Sequence, residues 1–230
     1  MDLQSGTALY TASTWVIPVL LAITLHEAAH GFVAHRLGDD TAWLLGRVSL
    51  NPFKHIDPFG TVLLPALLFF LHSPFIFGYA KPVPVKFGAL RNPRYDMVLV
   101  AGAGPTTNLL QAFAAALLVH IVVFLPEGLD QWMLANLRNA IVINVVLALF
   151  NMIPLPPLDG GRVAIGLLPD VLARPLAGLE RLGMLIIIGL LFLLPMIGAQ
   201  FGQNLDVVGW LLRGPVDWTI GTILRLTGLT

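Results

Sequence analysis

The sequence predicts an all-α polytopic membrane protein, and three observations support that prediction. Hydrophobic residues make up 57% of the 230 residues and charged residues only 11%, whereas a soluble domain carries about 25% charged residues. The mean hydropathy is +0.82. Several apolar runs reach the roughly 20 residues that a helix needs to cross a bilayer. We expect one domain over residues 1–230 with its core at 12–197, because no linker or soluble-looking block interrupts the chain.

Composition also excludes several kinds of function. The chain has no cysteine, so neither disulfides nor thiolate metal sites can form. Its net charge is zero, which argues against nucleic acid as a partner. The N-terminus lacks the basic segment of a cleavable signal, so we expect the first apolar run to be retained as a helix.

Apolar runs of sufficient length mark the transmembrane helices. Four of them are predicted to form the core of the protein, at residues 12–37, 95–124, 135–153 and 177–197. Residues 59–78 are also apolar, but two prolines interrupt them. Residues 206–226 carry four charged side chains and are broken by Gly214-Pro215, so they predict a C-terminal interfacial or transmembrane helix.

The positions of Lys and Arg indicate the orientation. If the N-terminus is outside and the four core helices cross, residues 36–94 and the connection from about 154 to 181 are cytoplasmic. Those stretches hold most of the basic residues, whereas the opposite loop holds only Arg138. Since basic residues favour the cytoplasmic side, this arrangement is supported. A crossing by 59–78 would weaken the bias, so we expect that segment to be re-entrant or interfacial.

Residues 41–53, TAWLLGRVSLNPF, contain β-branched and aromatic residues that favour strands. Two structures remain open for them. One is a short membrane-associated β-hairpin, whose edge would accept another extended segment by strand addition. The other is a plain interfacial loop.

The stretch LHEAAHG, Leu25 to Gly31, places three titratable side chains directly after an uncharged apolar run. On a helix, His26 and His30 project from one face, so both imidazoles can bind one ion. Glu27 lies beside that position and could take a proton from a water whose pKa the ion lowers toward ~7. This is the metalloprotease interpretation of H-E-x-x-H. The alternative is a pair of core histidines bonded to Glu27, but ionisable residues inside a membrane favour a functional site.

A catalytic zinc takes three protein ligands, and the best source of the third is NMIPLPPLDGG, residues 151–161. Its prolines end a helix near membrane depth, where irregular backbone must be covered. Asp159 follows, and Gly160-Gly161 permit a close approach of the backbone. A helix stop with Asp159 as N-cap is the alternative, but it does not explain Asn151. In the four-helix arrangement both motifs fall in the cytoplasmic half, so Asp159 could complete a site with the two histidines.

Together these motifs resemble the site-2 protease family, M50, of intramembrane zinc metalloproteases. HEAAH is similar to its H-E-x-x-H, NMIPLPPLDGG to its N-x-x-P-x-x-x-L-D-G, and AGAGPTTN (101–108) to its G-P-x-x-N. The stretch RLGDDTAWLLGRVSLNPFKHIDPFGT resembles the compact prokaryotic members, and the chain has no room for a PDZ or CBS domain.

The resemblance implies a single intramembrane metalloprotease domain that binds one Zn²⁺ per chain through His26, His30 and Asp159. It implies that Glu27 is the general base on zinc-bound water. It implies that Asn151 helps to hold the scissile carbonyl or its oxyanion, a role that a fixed amide can fill. The expected reaction is hydrolysis of peptide bonds in or near the transmembrane segments of membrane proteins, within the lipid bilayer.

Three other functions remain as alternatives. The first is a catalytically inactive scaffold that binds transmembrane helices, but such a protein has no need of Glu27. The second is a zinc-binding membrane transporter or sensor, but the polar intramembrane residues cluster at one depth. The third is a metal-dependent lipid hydrolase. We expect the protein in the cytoplasmic membrane of the cell, with its site in the cytoplasmic half, and make no prediction of its oligomeric state.

Several other polar residues have a predicted place. Asn108 either lines the cavity or bonds a neighbouring helix, and packing is the favoured role; Asn144 is expected to bond between helices. His55 and Asp57 are expected to form a surface or interfacial pair, with zinc ligation as the lesser alternative. The prolines of YAKPVPVKFG (79–88) predict an extended segment, in which the sequence indicates no chemistry.

Overall fold

The computed structural model describes residues 3–70, 78 and 80–230, and every regular element within them is helical. The α-helices are α1 (Leu3–Arg36), α2 (Thr41–Leu44), α3 (Leu64–Phe70), α4 (Pro93–Val119), α5 (Leu129–Asn151), α6 (Asp159–Leu167), α7 (Asp170–Gly178), α8 (Glu180–Ile188), α9 (Leu194–Gln200) and α10 (Val207–Leu226). Short 3₁₀-helices lie at Pro52–Lys54, Phe87–Ala89 and Val122–Phe124, and π-helical turns at Pro58–Leu63 and Gly189–Leu193. The predicted all-α class is confirmed.

Three of the described helical segments are long and apolar enough to cross a membrane: Leu9–Arg36, Leu129–Asn151 and Glu180–Gln200. They correspond to the predicted runs 12–37, 135–153 and 177–197. The fourth predicted run, 95–124, forms the 27-residue α4 and the 3₁₀-helix that follows it. Helix α4 is not among the three candidates; its middle carries Thr106, Thr107 and Asn108, and it packs against both α1 and α5.

Polar contacts give the directions of the three central helices. Trp132, near the start of α5, donates to Ser13 Oγ in the first half of α1 at 2.9 Å. His30, near the end of α1, contacts the carbonyl oxygen of Val100 in the first half of α4 at 2.7 Å. Helices α1 and α5 therefore run in the same direction, and α4 runs against both. The end of α1, the start of α4 and the end of α5 meet at one end of the bundle, which carries the candidate site.

The main hydrophobic core lies toward the other end of the bundle. Helix α4 contributes small side chains there, which allow α5 to approach closely. The buried members of this core are Ala112, Ala115, Ala116, Val122, Leu137, Ile141, Val145 and Ile223. Because Ile223 belongs to α10, the C-terminal helix is packed against the bundle.

The β-hairpin that was one alternative for residues 41–53 is wrong. Thr41–Leu44 form a helical turn, and Asp39 Oδ1 accepts from the backbone N–H of Thr41 at 3.0 Å. The segment ends in the 3₁₀-helix Pro52–Lys54, where Asn51 Oδ1 accepts from Phe53 N–H at 3.0 Å. These side chains satisfy backbone donors locally and so favour turns over strand pairing.

The two uncertain apolar segments are both helical where they are described. The segment predicted to be re-entrant or interfacial, 59–78, begins with the π-helical turn and α3, and its residues 71–77 lie outside the described residues. Of residues 206–226, Asp206 caps α10 and the rest form it; the helix runs through Gly214-Pro215 instead of breaking there. Contacts of α10 with the core on α4 and α5 offset the loss of one helical hydrogen bond at the proline.

Candidate metal centre

The two histidines of the first motif lie one turn apart on α1 and face the same point. Their Nε2 atoms are 3.0 Å apart, and both side chains are buried. Asp159, the first residue of α6, brings Oδ2 to 3.2 Å from His26 Nε2 and 3.3 Å from His30 Nε2. Within the described residues these three form the one group of His, Asp and Glu side chains whose ligand atoms converge in this way. The structure therefore brings the two sequence motifs together.

Glycines at the start of α6 and on α8 determine where Asp159 lies. A Cβ on Gly160 would overlap the carbonyl of Met152, and one on Gly183 would overlap the carbonyl of Pro156. Both helices consequently pack directly on the proline-rich loop between α5 and α6. The close backbone approach predicted for Gly160 is thus an approach to the chain's own loop, which holds the start of α6 beside α1.

Hydrogen bonds at the far side of each ring determine which nitrogen carries the proton. His30 Nδ1 lies 2.7 Å from the carbonyl oxygen of Val100, which can only accept, so Nδ1 donates. His26 Nδ1 lies 2.6 Å from Oδ1 of Asn108 and donates to it. In the neutral rings each Nε2 therefore keeps a lone pair. Three acceptor atoms, the two Nε2 nitrogens and Asp159 Oδ2, face one another with no donor between them.

This arrangement fits a bound cation. Asp159 Oδ2 is buried and has no hydrogen-bond donor, although two imidazoles lie within 3.3 Å of it. A buried carboxylate oxygen without a hydrogen bond is unfavourable. One proton could join only two of the three acceptor atoms, His26 Nε2, His30 Nε2 and Asp159 Oδ2, and would leave the third without a partner. A tetrahedral zinc with Zn–N bonds of ~2.0–2.1 Å separates its ligand atoms by about 3.3 Å, close to the separations found here. Two His and one Asp also match the three-ligand set of a catalytic zinc.

A glycine on α4 makes room for the two rings. A Cβ on Gly104 would overlap both Nε2 of His30 and Cε1 of His26. The backbone of α4 therefore lies directly against the imidazoles. The sequence alone places Gly104 in a motif but gives no sign of this contact.

The other two predicted site residues line a cavity next to the histidines. Glu27, Asn151 and His26 all contribute to its wall, and its volume is about 220 Å³. The rest of the lining is mainly apolar and comes from α1, α5, α8 and the loop before α6, with Ile23, Leu147, Phe150, Leu158, Met184 and Ile187. Asn151 Nδ2 donates to the carbonyl of Leu147 at 3.0 Å. The structure thus places Glu27 and Asn151 at a cavity that His26, one of the three converging residues, also lines.

An extended segment before α4 contacts the site in a way that the sequence did not indicate. The backbone N–H of Val83 donates to Glu27 Oε2 at 2.7 Å. Three residues later in the same segment, the backbone N–H of Lys86 donates to Asp39 Oδ2 at 2.6 Å. A backbone donor leaves no residue-type signature, so only the prolines that extend this segment were visible in the sequence.

His55 and Asp57 do not join the site. His55 is buried, and its Nε2 donates to the carbonyl of Ser49 at 2.9 Å. Asp57 Oδ1 accepts from the backbone N–H groups of Phe59 and Gly60 and so caps the π-helical turn. The predicted surface or interfacial pair is wrong, because each side chain bonds to nearby backbone groups instead of to the other.

Comparison with known proteins gives consistent matches. The family model described as Peptidase family M50 matches residues 121–195. The chain is 38% identical to "Putative zinc metalloprotease YwhC" of Bacillus subtilis over 189 residues, 79% of this chain and 80% of that protein. It is 28% identical to "Putative zinc metalloprotease Rip2" of Mycobacterium tuberculosis over 192 residues, 84% of this chain and 70% of that protein. No solved structure gives a significant match.

Proposed function

The chain belongs to peptidase family M50, and from that membership we propose that it is an intramembrane zinc metalloprotease. Its proposed reaction is hydrolysis of peptide bonds in or near the transmembrane segments of other membrane proteins. The observation that carries the proposal is the convergence of His26, His30 and Asp159 beside the cavity that Glu27 and Asn151 line. Those three side chains would hold one zinc ion per chain.

Glu27 is the proposed general base. Zinc, when bound, makes a water acidic enough to lose a proton near neutral pH and stabilises negative charge on a peptide oxygen. The Val83 N–H already occupies Oε2 of Glu27, so we assign proton transfer to Oε1. Glu27 takes the proton of the attacking water as the new C–O bond forms at the scissile carbonyl. It then gives that proton to the leaving nitrogen as the C–N bond breaks.

Asn151 is proposed to stabilise the tetrahedral oxyanion. One hydrogen of its amide donates to the carbonyl of Leu147, which fixes the side chain on the last turn of α5. The second hydrogen of the same amide is then available to a substrate oxygen in the cavity. A donor held in place before the reaction stabilises developing charge more than a mobile one.

The character of the cavity supports a transmembrane substrate. Its wall is mainly aliphatic and aromatic apart from His26, Glu27 and Asn151. An apolar wall suits the Leu, Ile, Val and Phe side chains of a membrane-spanning segment. The peptide bond would be held at the three polar residues of this wall.

Basic residues indicate on which side of the membrane the site lies. They surround the end of the bundle that carries the site: Arg36 ends α1, Arg94 lies in the first turn of α4 and Arg162 in α6. Because Lys and Arg favour the cytoplasmic side, we place the site in the cytoplasmic half of the cell membrane.

The experiment that tests this function needs no known substrate. Cells that express the full chain and cells that express Glu27→Gln are compared by mass spectrometry of protein N-termini in isolated membranes. We expect new N-termini within or beside transmembrane segments in the first sample only, with zinc retained by the variant. Equal sets of N-termini in the two samples would contradict the proposal and favour a scaffold that binds helices without cleaving them.

A further inference from the structure

We propose that Asn108 and Asn144 are positioning residues for the metal site. Together they form a buried hydrogen-bonded relay from α5 through α4 to His26. The relay holds the imidazole of His26 in the orientation and tautomer that leave Nε2 free to bind zinc. This inference rests on the zinc site of the proposed function and adds to it two residues outside the metal-binding set.

The direction of each bond in the relay follows from two carbonyl groups. Asn144 Nδ2 lies 2.9 Å from the carbonyl oxygen of Ala140, and Asn108 Nδ2 lies 3.1 Å from that of Ala22. A carbonyl oxygen only accepts, so the amide nitrogen of each asparagine must be on that side. Asn108 Nδ2 then also donates to Asn144 Oδ1, at 2.7 Å. Both amide orientations are therefore determined by their surroundings.

The side-chain oxygen of Asn108 determines which nitrogen of His26 carries the proton. With its nitrogen committed, Asn108 turns Oδ1 toward His26 Nδ1 at 2.6 Å. That oxygen can only accept, so Nδ1 of His26 must carry the proton. The relay consequently excludes the tautomer that would protonate Nε2. Groups that hold the second nitrogen of a metal-binding histidine typically raise metal affinity by about 10- to 100-fold.

Burial makes the relay more than a surface contact. Asn108 is fully buried at 0% exposure, and Asn144 is 2% exposed. Water therefore cannot replace either amide, and removal of one leaves a buried polar group of the other without its partner. Asn108 also donates to Ala22, one turn before His26 on α1, so the same side chain fixes both the ring and the helix that carries it.

The test is the zinc affinity of the detergent-purified full chain, measured by competition with a chromophoric chelator. Asn108→Leu keeps the size of the side chain and removes the acceptor, and we expect zinc to bind about 10- to 100-fold more weakly. Asn108→Asp keeps an acceptor for His26 but loses the amide donors, and we expect an affinity close to that of the wild type and well above that of Asn108→Leu. A role in packing alone predicts the opposite order, because Leu is tolerated in a helix interior and a buried carboxylate is not.

A second pair of variants separates the relay from general destabilisation. Asn144→Leu should weaken zinc binding in the same direction, though less, since Ala22 still holds Asn108. Asn136 is its matched control: it is a buried asparagine of α5 that donates to Trp132, four residues earlier, as Asn144 does to Ala140. Asn136→Leu should leave the zinc affinity unchanged. Thermal unfolding of the metal-free proteins shows whether each variant is folded.

The outcomes distinguish this inference from the proposed function. Wild-type affinity in Asn108→Leu, or an Asn108→Asp variant as weak as Asn108→Leu, would overturn the relay and leave the zinc site standing. A folded wild-type chain that binds no zinc would overturn both. Equal losses in Asn144→Leu and Asn136→Leu would also overturn the relay, because they would assign the effect to packing.

Discussion

The backbone N–H of Val83 donates a hydrogen bond of 2.7 Å to Oε2 of Glu27, across 56 residues of sequence. The side chain of Val83 is buried and lies against α1 at Gly31, one turn beyond Glu27. A Cβ on Gly31 would come within 2.9 Å of Val83 Cγ1, so a larger residue there would displace the segment. A glycine on α1 thus allows the extended segment to hold the carboxylate on the same helix.

Removal of that N–H should slow catalysis without loss of zinc. Val83→Pro deletes the donor in a segment that is already extended and already contains prolines on both sides. A hydrogen bond to a charged group contributes about 1.5–3 kcal/mol, so we expect turnover to fall by about 10-fold or more. Two quantities are measured. The first is the rate at which a cleavage product appears, chosen from the new N-termini that the wild type forms and Glu27→Gln does not. The second is the amount of zinc per chain.

Val85→Pro is the matched control for that variant. Val85 also follows a proline in the same segment, but its N–H donates no hydrogen bond within the described part of the chain. We expect its turnover to stay near that of the wild type. If both prolines slow cleavage equally, the hydrogen bond to Glu27 is not the cause.

A methyl group on Gly104 should disrupt the metal centre. Gly104→Ala would bring a Cβ into the space of both imidazoles, so we expect loss of most of the bound zinc. Gly102, on the same helix, has nothing within 4 Å of an added Cβ. Gly102→Ala should therefore keep its zinc and raise helix stability by up to about 1 kcal/mol. Metal analysis and thermal unfolding check both variants, and full zinc in Gly104→Ala would refute the close packing of α4.

The Asp39 carboxylate should make part of the stability depend on pH. Burial raises the pKa of this group, but hydrogen bonds from Thr41 and from the backbone of Lys86 lower it more, so the pKa lies below its ordinary value. A carboxyl whose pKa is lower in the folded state stabilises the protein above the unfolded pKa. That stabilisation is lost as the pH falls through the folded pKa.

Asp39→Asn should consequently lower the unfolding temperature at neutral pH and reduce its decline in acid. The expected loss is about 1–3 kcal/mol, the effect of leaving buried backbone donors without a charged acceptor. Thermal unfolding from pH 7 down to about pH 3 checks this. Asp40→Asn is the control, because Asp40 is exposed and pairs only with His35 among the described contacts. An identical acid profile in Asp39→Asn and the wild type would contradict the assignment.

The sequence predicted the helices better than the connections between them. Runs of apolar residues place α1, α5 and the α8–α9 segment to within a few residues at most ends, because bilayer thickness sets their length. The hairpin that was one of two alternatives for 41–53 does not form, because Asp39 and Asn51 cap local turns and β propensity depends on a partner strand. Gly214-Pro215 suggested a break in α10 that packing against α4 and α5 prevents.

The sequence likewise predicted some features of the candidate site and not others. His26, His30 and Asp159 were predictable because residue type and spacing carry their chemistry, and the structure brings them together. The hydrogen bond from Val83 was not predictable, since every residue except proline carries the same backbone donor. Asn108 was recognised within a motif, but its bond to His26 depends on how closely α4 approaches α1. Contacts of that kind depend on tertiary packing and have no local signature.

The most direct test is zinc per chain in the detergent-purified wild type and in Asp159→Ala, with Asp57→Ala as the control. Asp57 caps the π-helical turn and lies outside the three-residue cluster. The predicted result is close to one zinc in the wild type and in Asp57→Ala, and a clear loss in Asp159→Ala. A folded Asp159→Ala protein that keeps its full zinc would contradict the account, because the two motifs would then not share one metal centre.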